Sequence, residues 1–156
     1  MNLISTPNAM NVKRTLHSAT PLGDGLILIV GGLDQTGTPL ASAEIFDPAR
    51  GIFTALTGQL NAARYGHAAI VTPNGVVLII GGQGAGAAYL GSVEILSRGS
   101  GPLAVTGTFT TASNGLSEAR ANMTAERLAD GRILITGGAD SGDAALNLAE
   151  IYSPGT

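Results

Sequence analysis

The sequence predicts an all-β fold made of three repeated units, each with four short strands. Double glycines recur at spacings of 50 and then 56 residues, and one arginine and one glutamate per unit recur at the same two spacings. Three independent markers therefore share one register. No segment has a sustained apolar period of about 3.6 residues, so we expect essentially no helix. The recurring residues are Arg14, Arg64, Arg120, Glu44, Glu94, Glu150, Gly31, Gly32, Gly81, Gly82, Gly137 and Gly138.

Each unit carries a hairpin signal ahead of its double glycine. Asp24-Gly25, Asn74-Gly75 and Asp130-Gly131 each lie between two apolar stretches. Such pairs favour type I′ turns, because both central residues adopt positive φ at little cost. The arm after each turn is nearly continuously apolar, as in a strand covered on both faces. These arms, which we expect to end at the double glycines, are 26–30, 76–80 and 132–136.

Two further strands are expected in each unit after the double glycine. The third strand is predicted at 43–46, 93–96 and 149–152, and is closed in two units by Pro48 and Pro154. A fourth strand is predicted to start near Phe53 and Phe109. The six extra residues of the second unit fall between Glu94 and Phe109, so we interpret them as a longer loop rather than a new element.

Composition narrows the classes of partner. The chain has 8 basic and 11 acidic residues, and Lys13 is its single lysine, so we expect no nucleic-acid partner. The absence of cysteine excludes disulfides and thiolate chemistry but leaves the compartment undetermined. The N-terminal stretch 1–14 has no apolar core of a signal peptide, and no apolar run approaches the roughly 20 residues of a membrane span. We therefore expect a soluble protein with no membrane partner and of unknown localisation.

The motifs of the second unit resemble the bacterial Kelch repeats of galactose-oxidase-like proteins. The resemblance rests on Arg64-Tyr65-Gly66-His67, Asn74-Gly75, the strand that ends in Gly81-Gly82, and Glu94-Ile95. The first unit repeats the pattern, and the third keeps it except for Met123 in place of the histidine. The tryptophan that many Kelch repeats carry on the fourth strand is replaced by phenylalanine. The resemblance implies β-propeller blades at about 14–60, 64–116 and 120–156, within one unit spanning 1–156.

Two sets of charged or titratable residues invite a functional interpretation. The repeated arginines and glutamates are consistent with a ring of charges around a central pocket, but one pair per blade is more typical of a repeated structural contact. His17 and His67 occupy equivalent positions in neighbouring inner strands. We predict no metal site there, because a third histidine is missing and metal ligation takes three or four groups.

Several enzyme classes lack a required residue. The oxidase cofactor of galactose oxidase needs a cysteine, and the arginine triad and Asp-box turns of sialidases are not found. The stretch 81–86 is glycine-rich, but no helix follows it to bind a phosphate. Asp140 and Asp143 are too few for a calcium site and are interpreted as turn residues. We therefore expect a binding or scaffold module without a cofactor; the alternative is a propeller-borne carbohydrate-active enzyme or oxidase domain that lacks its catalytic part.

The loops that follow the double glycines are predicted to form the ligand-binding face, for a protein or a glycan of unknown identity. These loops, 33–42, 83–92 and 139–148, are the longest repeated loops and differ most between units. Asn61 and Ser117, on strand-joining segments, are expected to reach the same face. The candidate binding residues are Leu33, Asp34, Gln35, Leu40, Gln83, Tyr89, Leu90, Asp140 and Asp143.

The repeat register also predicts how blades assemble. Counting back from Arg14 by the distance between Phe53 and Arg64 places Leu3 at the start of a fourth strand, and Thr156 leads into Met1 in register. Propellers usually have four to eight blades, so three do not close, whereas two chains give six. We therefore predict half of a six-bladed propeller, completed by homodimerisation, in which residues 3–8 supply the outer strand of the partner's last blade. A segment cut from a longer six-bladed chain, naturally or by engineering, has the same register.

Overall fold

The computed structural model describes residues 5–6, 8–99 and 105–153. Within these ranges the chain forms three antiparallel sheets of four, four and three strands. The first sheet has the order β1-β2-β3-β4, the second β5-β6-β7-β8, and in the third β10 lies between β9 and β11. The strands are β1 Ser18–Pro21, β2 Ile27–Val30, β3 Ala43–Asp47, β4 Ile52–Ala55, β5 Ala68–Val71, β6 Val77–Ile80, β7 Val93–Arg98, β8 Gly107–Thr111, β9 Thr124–Arg127, β10 Ile133–Thr136 and β11 Ala149–Tyr152.

The three sheets follow one another as blades whose first strands are neighbours. Strand β1 contacts β5, and β5 contacts β9. The strand before each double glycine ends at Val30, Ile80 and Thr136, as predicted. In the part of the chain that the structure describes, helical structure is limited to a 3-10 turn at Ala85–Ala87, and no helix is long and apolar enough to cross a membrane.

Four strands are confirmed in the first two blades, whereas the third blade has three in the described ranges. The fourth strand predicted at 3–8 falls mostly on residues outside these ranges, as does Pro154. In the second blade the six extra residues separate β7 from β8, with Arg98 still paired to Gly107. The described part of this loop contains no additional strand.

The hydrophobic core lies between the blades. In β6, Val77 and Ile79 pack against the first blade, while Leu78 and Ile80 pack against the third. Successive side chains of a strand point to opposite faces, so a blade with neighbours on both sides buries every residue of this strand. This geometry is the reason for the continuous apolar run seen in the sequence.

The hairpin turns differ from the predicted type I′. Gly75 has φ of 82°, but Asn74 does not have positive φ. The Gly75 amide donates to the Thr72 carbonyl (2.9 Å), and the Thr72 amide donates to the Val76 carbonyl (2.9 Å). These bonds define a three-residue loop in which a type I-like turn precedes a left-handed glycine. The type I′ prediction was wrong because the loop begins one residue earlier than the Asn-Gly pair suggested.

Replacing Gly75 with alanine is expected to lower the free energy of unfolding by about 1 kcal/mol, the cost of a left-handed conformation for a residue with a Cβ. No atom lies within 4 Å of the added Cβ, so the cost comes from the backbone alone. Gly23→Ala is the matched control, because Gly23 lies in an equivalent turn with open space but without positive φ. Urea denaturation measures both, and equal losses in the two variants would contradict the assigned turn.

Candidate ligand-binding face and its supporting ion pairs

Each blade contains an ion pair between its repeated arginine and glutamate. Arg64 Nη2 lies 2.6 Å from Glu94 Oε1, and the two side chains are 0% and 1% exposed. The equivalent pairs are Arg14 with Glu44 at 2.8 Å and Arg120 with Glu150 at 2.5 Å. Each pair lies within its own blade, between the segment that enters the blade and its third strand, rather than around a central pocket.

The arginine also connects two parts of the blade backbone. Arg64 Nη1 donates to the carbonyls of Gly81 (2.9 Å) and Ser92 (3.1 Å), which lie at the end of the second strand and just before the third. Nη2 donates to the Ser92 hydroxyl (3.0 Å) as well. A single guanidinium therefore fixes both ends of the loop that follows the double glycine.

The glutamate holds the segment that crosses from one blade to the next. Glu94 accepts hydrogen bonds from the backbone amides of Asn61 (2.7 Å) and Ala62 (3.0 Å). The Asn61 side-chain amide donates to Glu94 (3.1 Å) and to the Phe109 carbonyl (3.3 Å). The Ser117 amide donates to Glu150 (2.8 Å) in the third blade. Asn61 and Ser117, expected at the binding face, are exposed residues that thus participate in these ion-pair networks.

The first glutamate shows how the network stabilises a buried charge. Burial alone raises the pKa of Glu44, but the Asn11 amide, the Arg14 guanidinium and the Val12 amide all donate to it. These hydrogen bonds outweigh burial and hold the pKa of Glu44 below its ordinary value. The carboxylate therefore remains charged and keeps its partners at neutral pH.

The double glycines allow adjacent blades to approach closely. A Cβ on Gly81, which has φ of 60°, would lie 2.6 Å from the Arg120 carbonyl oxygen and 2.5 Å from Met123 Cε. The amide of the next residue, Gly82, donates to the same Arg120 carbonyl (2.9 Å). Gly81 is therefore required by a contact between blades, whereas a Cβ on Gly82 would lie 2.7 Å from the Tyr65 carbonyl oxygen of its own blade. Both glycines also have a left-handed conformation.

Each predicted binding loop has two parts: a base, at Leu33, Gln83 or Ala139, that is bridged to neighbouring segments, and an exposed tip. Leu33 bridges to Thr15 and Pro39, and Gln83 bridges to Tyr65 and Tyr89 in the same way, so each base is a short ladder. The tips are 35–38, 85–88 and 141–145, and all of their residues are exposed. Among the candidate residues, Gln35 and Asp143 are exposed, whereas the half-buried ones are Leu33, Asp34, Leu40, Gln83, Tyr89, Leu90 and Asp140.

Two candidate carboxylates shape their own loops. Asp34 Oδ1 accepts the backbone amides of Thr36 (2.8 Å) and Thr38 (2.9 Å) and the Thr36 hydroxyl (2.6 Å). Chiefly because of the Thr36 side-chain hydrogen bond, the pKa of Asp34 is lowered. Asp140 Oδ1 accepts the amides of Gly142 (2.8 Å) and Ala144 (3.1 Å) in the same way. The sequence predicts a turn residue at Asp140, but sequence reasoning missed this role for Asp34, although an aspartate two residues before Thr36 is typical of an Asx turn.

The second and third loops are joined by their side chains. The Tyr89 hydroxyl donates to the Asp143 carboxylate across the two blades. Mainly because of this hydrogen bond, the pKa of Tyr89 is raised to about 12. The contact places the tips of these loops side by side on one face.

Of the two histidines, His67 lies where the inner strands of two blades meet. The imidazole Nε2 of His67 is 2.8 Å from the Ser18 hydroxyl of the preceding blade. Burial, assisted by Arg64 and His17, lowers the pKa of His67 to about 3. Within residues 5–6, 8–99 and 105–153, no three His, Asp or Glu side chains are grouped so as to hold a metal ion.

The described chain has several concave regions, of which two bear on binding. One, of about 490 Å³, is lined by β1, β5 and β9, with small and apolar residues from β1 and β5 and the charged Glu126 and Arg127 from β9. The other, of about 380 Å³, lies beside the first loop tip, between Lys13 on the entering segment and Asp34 and Gln35 on the loop. The second region belongs to the predicted binding face and combines a cation, a carboxylate and an amide.

Comparison with known families agrees with this architecture. A family model described as the Kelch motif matches residues 14–58, which begin at the buried arginine and contain all four strands of the first blade. No curated protein sequence matches the chain. The second and third blades repeat the same arginine, double glycine and glutamate in the same structural positions. The first blade thus matches the Kelch motif, and the three antiparallel sheets are consistent with Kelch repeats.

Proposed function

We propose that this chain is a non-catalytic β-propeller module that binds a protein or glycan through the three loop tips 35–38, 85–88 and 141–145, here called the loop face. In this proposal the three blades are half of a six-bladed propeller completed by a second copy. The Kelch motif and the repeated all-β architecture support a binding scaffold. Function on such a fold depends on the residues that the scaffold presents.

The observation that carries the proposal is the contrast between constant loop bases and variable tips. Ion pairs and backbone bridges hold the three bases in one geometry. The tips on this geometry have different chemistry: Gln-Thr-Gly-Thr in the first, an Ala- and Gly-rich turn in the second, and a serine and an aspartate in the third. Variable exposed segments on a rigid support are typical of recognition surfaces. The hairpin turns at the other strand ends are short and nearly identical, which leaves little to recognise.

The chemistry of the loop face favours a polar ligand. The cleft beside the first tip offers the Lys13 ammonium, the Gln35 amide and the Thr36 hydroxyl. The Tyr89–Asp143 pair presents an aromatic edge with a carboxylate. Large exposed apolar side chains in the described ranges, Leu16 and Ile151, lie outside the tips. A ligand rich in hydroxyl or amide groups, such as an oligosaccharide or a polar peptide, matches these donors and acceptors.

A screen of the 156-residue chain against immobilised oligosaccharides and peptides tests the proposal. For any ligand found, the double variant Gln35→Ala/Thr36→Ala is expected to weaken binding by roughly tenfold or more, because it removes two hydrogen-bonding groups from the cleft. Gly23→Ala, in a hairpin turn away from the loops, is the control and should leave the Kd unchanged. Equal weakening by both variants would place the ligand elsewhere, and turnover of a sugar or an ester by the purified chain would favour the enzyme alternative.

A further inference from the structure

Two blade faces of the described chain have no neighbouring blade. Ile151 of the third blade is 49% exposed, whereas its equivalent Ile45 of the first blade is 2% exposed because the second blade covers it. On the first blade, Phe46 and Phe53 are half-buried, although their equivalents in the second blade, Leu96 and Phe109, are packed in the core. We call the open side of the third blade the trailing face and that of the first blade the leading face.

Each of the two internal blade junctions has a glycine in close contact with the next blade. The trailing face has the equivalent glycine, but no blade of the described chain contacts it. A Cβ on Gly31 would meet the Arg64 carbonyl oxygen at 2.5 Å and His67 Cε1 at 2.8 Å, and Gly81 is equally close to the third blade. Gly137 has the same left-handed backbone, with φ of 65°, but only the Leu146 carbonyl oxygen lies within 4 Å of its Cβ position, at 3.8 Å. The space in front of Gly137 therefore matches the shape that receives the next blade elsewhere.

Backbone hydrogen bonds repeat in the same manner. The Gly32 amide donates to the Arg64 carbonyl (2.8 Å), and the Gly66 amide donates to the Leu16 carbonyl (3.1 Å). The junction of the second and third blades repeats both bonds. Four equivalent backbone groups have no backbone partner in the described ranges. The Gly138 amide and the Asn122 carbonyl lie on the trailing face, and the Arg14 carbonyl and the Leu16 amide lie on the leading face. The two faces thus present complementary halves of both bonds.

Side chains at the junctions indicate which partner the trailing face accepts. Ser18 of the first blade contacts His67 of the second through its hydroxyl. At the next junction both positions are apolar: Ala68 and Met123 pack in the same core. The third blade carries an exposed hydroxyl, Thr124, at the position of Ser18 and Ala68. It shares one hydrogen bond with the Thr136 hydroxyl (2.8 Å), and a hydroxyl can both donate and accept, so it can also bind a second partner. A hydroxyl there matches a histidine on the incoming blade, and the leading face of this chain carries His17.

We propose that the trailing face binds the leading face of a second copy, with His17 of that copy seated over Gly137 and hydrogen-bonded to Thr124. Two such seams, related by a two-fold axis, close a ring of six blades. The faces are complementary to each other and not to themselves, so the contact is head-to-tail. Six blades lie within the range of four to eight seen in propellers, whereas three copies would give nine. The inference rests on the propeller architecture of the proposed function but not on the loop face.

Gly137→Ala tests the seam. Its Cβ meets almost nothing in the described chain but would collide with the Arg14 carbonyl and His17 of a second copy. Gly37→Ala is the matched control, since Gly37 also has positive φ, of 78°, and open space, but lies at a loop tip. Light scattering at micromolar concentration should give about twice the 15.6 kDa chain mass for the wild type and for Gly37→Ala. Gly137→Ala should give a single chain mass with an unchanged circular dichroism spectrum.

The experiment distinguishes the wrong occupant of the trailing face from the wrong seam. A well-folded wild-type monomer overturns the second copy as the occupant, and a wild-type dimer unaffected by Gly137→Ala overturns the seam. Neither result bears on ligand binding by the loop face, which the screen measures independently.

A double-variant cycle tests the hydroxyl–histidine pair itself. Thr124→Ala is expected to weaken dimerisation on the order of tenfold for each seam, because it leaves His17 buried without its partner. Adding His17→Met recreates the Ala68–Met123 pair of the internal junction and should restore most of the affinity. Affinity losses that simply add in the double variant would show that Thr124 and His17 do not meet.

Discussion

Replacing Arg64 with alanine is expected to lower the free energy of unfolding by about 3–5 kcal/mol, the range for removing one partner of a buried ion pair. The change leaves the Glu94 carboxylate 1% exposed and without its guanidinium. It also deprives the Gly81 and Ser92 carbonyls of a donor and opens a cavity. For a chain of this size the loss corresponds to a fall in Tm of roughly 10 °C.

Thermal and urea unfolding at pH 7 measure this effect. Arg50→Ala is the control, because Arg50 is 55% exposed in its pair with Asp47 and should change stability by about 0.5 kcal/mol or less. Where the Arg64 variant remains folded, at low temperature, it should still bind any ligand of the loop face. A variant as stable as the wild type but unable to bind would instead assign Arg64 to ligand recognition.

The strands and their burial were predictable because the repeat presents the same signal three times. A strand such as Val77–Ile80 is ambiguous by itself, since a buried helix is also continuously apolar. Its position between an Asn-Gly turn and a double glycine, in register with two other segments, removes the ambiguity. The turn geometry was harder to predict from the sequence, because Asn74 tolerates positive φ without requiring it. The three-residue loop depends instead on the Thr72–Val76 pairing.

The candidate binding residues were assigned to the loops after the double glycines without distinguishing exposed from half-buried positions. Leu33 and Gln83 follow directly after glycines, and nothing in their residue type indicates that they form isolated bridges with neighbouring segments. Asp34 and Asp140 did carry a local signal in their spacing to the amides that they accept. The Ser18–His67 contact had no signal within one blade, because it becomes visible only when positions 18, 68 and 124 are compared with the histidine position of the following blade.

Acidification is expected to destabilise the chain through His67, by about 1.4 kcal/mol for each pH unit below roughly pH 6. Burial, with the nearby Arg64 charge, lowers the folded-state pKa to about 3 from the ordinary 6.5. Between these two values the unfolded chain binds a proton at this histidine and the folded chain does not. The contribution of neutral His67 is therefore fully present above pH 6.5 and is lost progressively as the pH falls toward 3.

The junction of the second and third blades supplies the matched variant for this test. Ser18→Ala/His67→Met reproduces the Ala68–Met123 pair, and Gly31 should accept the methionine as Gly81 accepts Met123. Urea unfolding at pH 7, 5 and 4 should show a steeper loss of stability for the wild type than for the double variant. The carboxylates and His17 are common to both proteins, so the difference in slope isolates His67. Parallel pH profiles would mean that His67 takes up its proton in the folded state near its ordinary pKa.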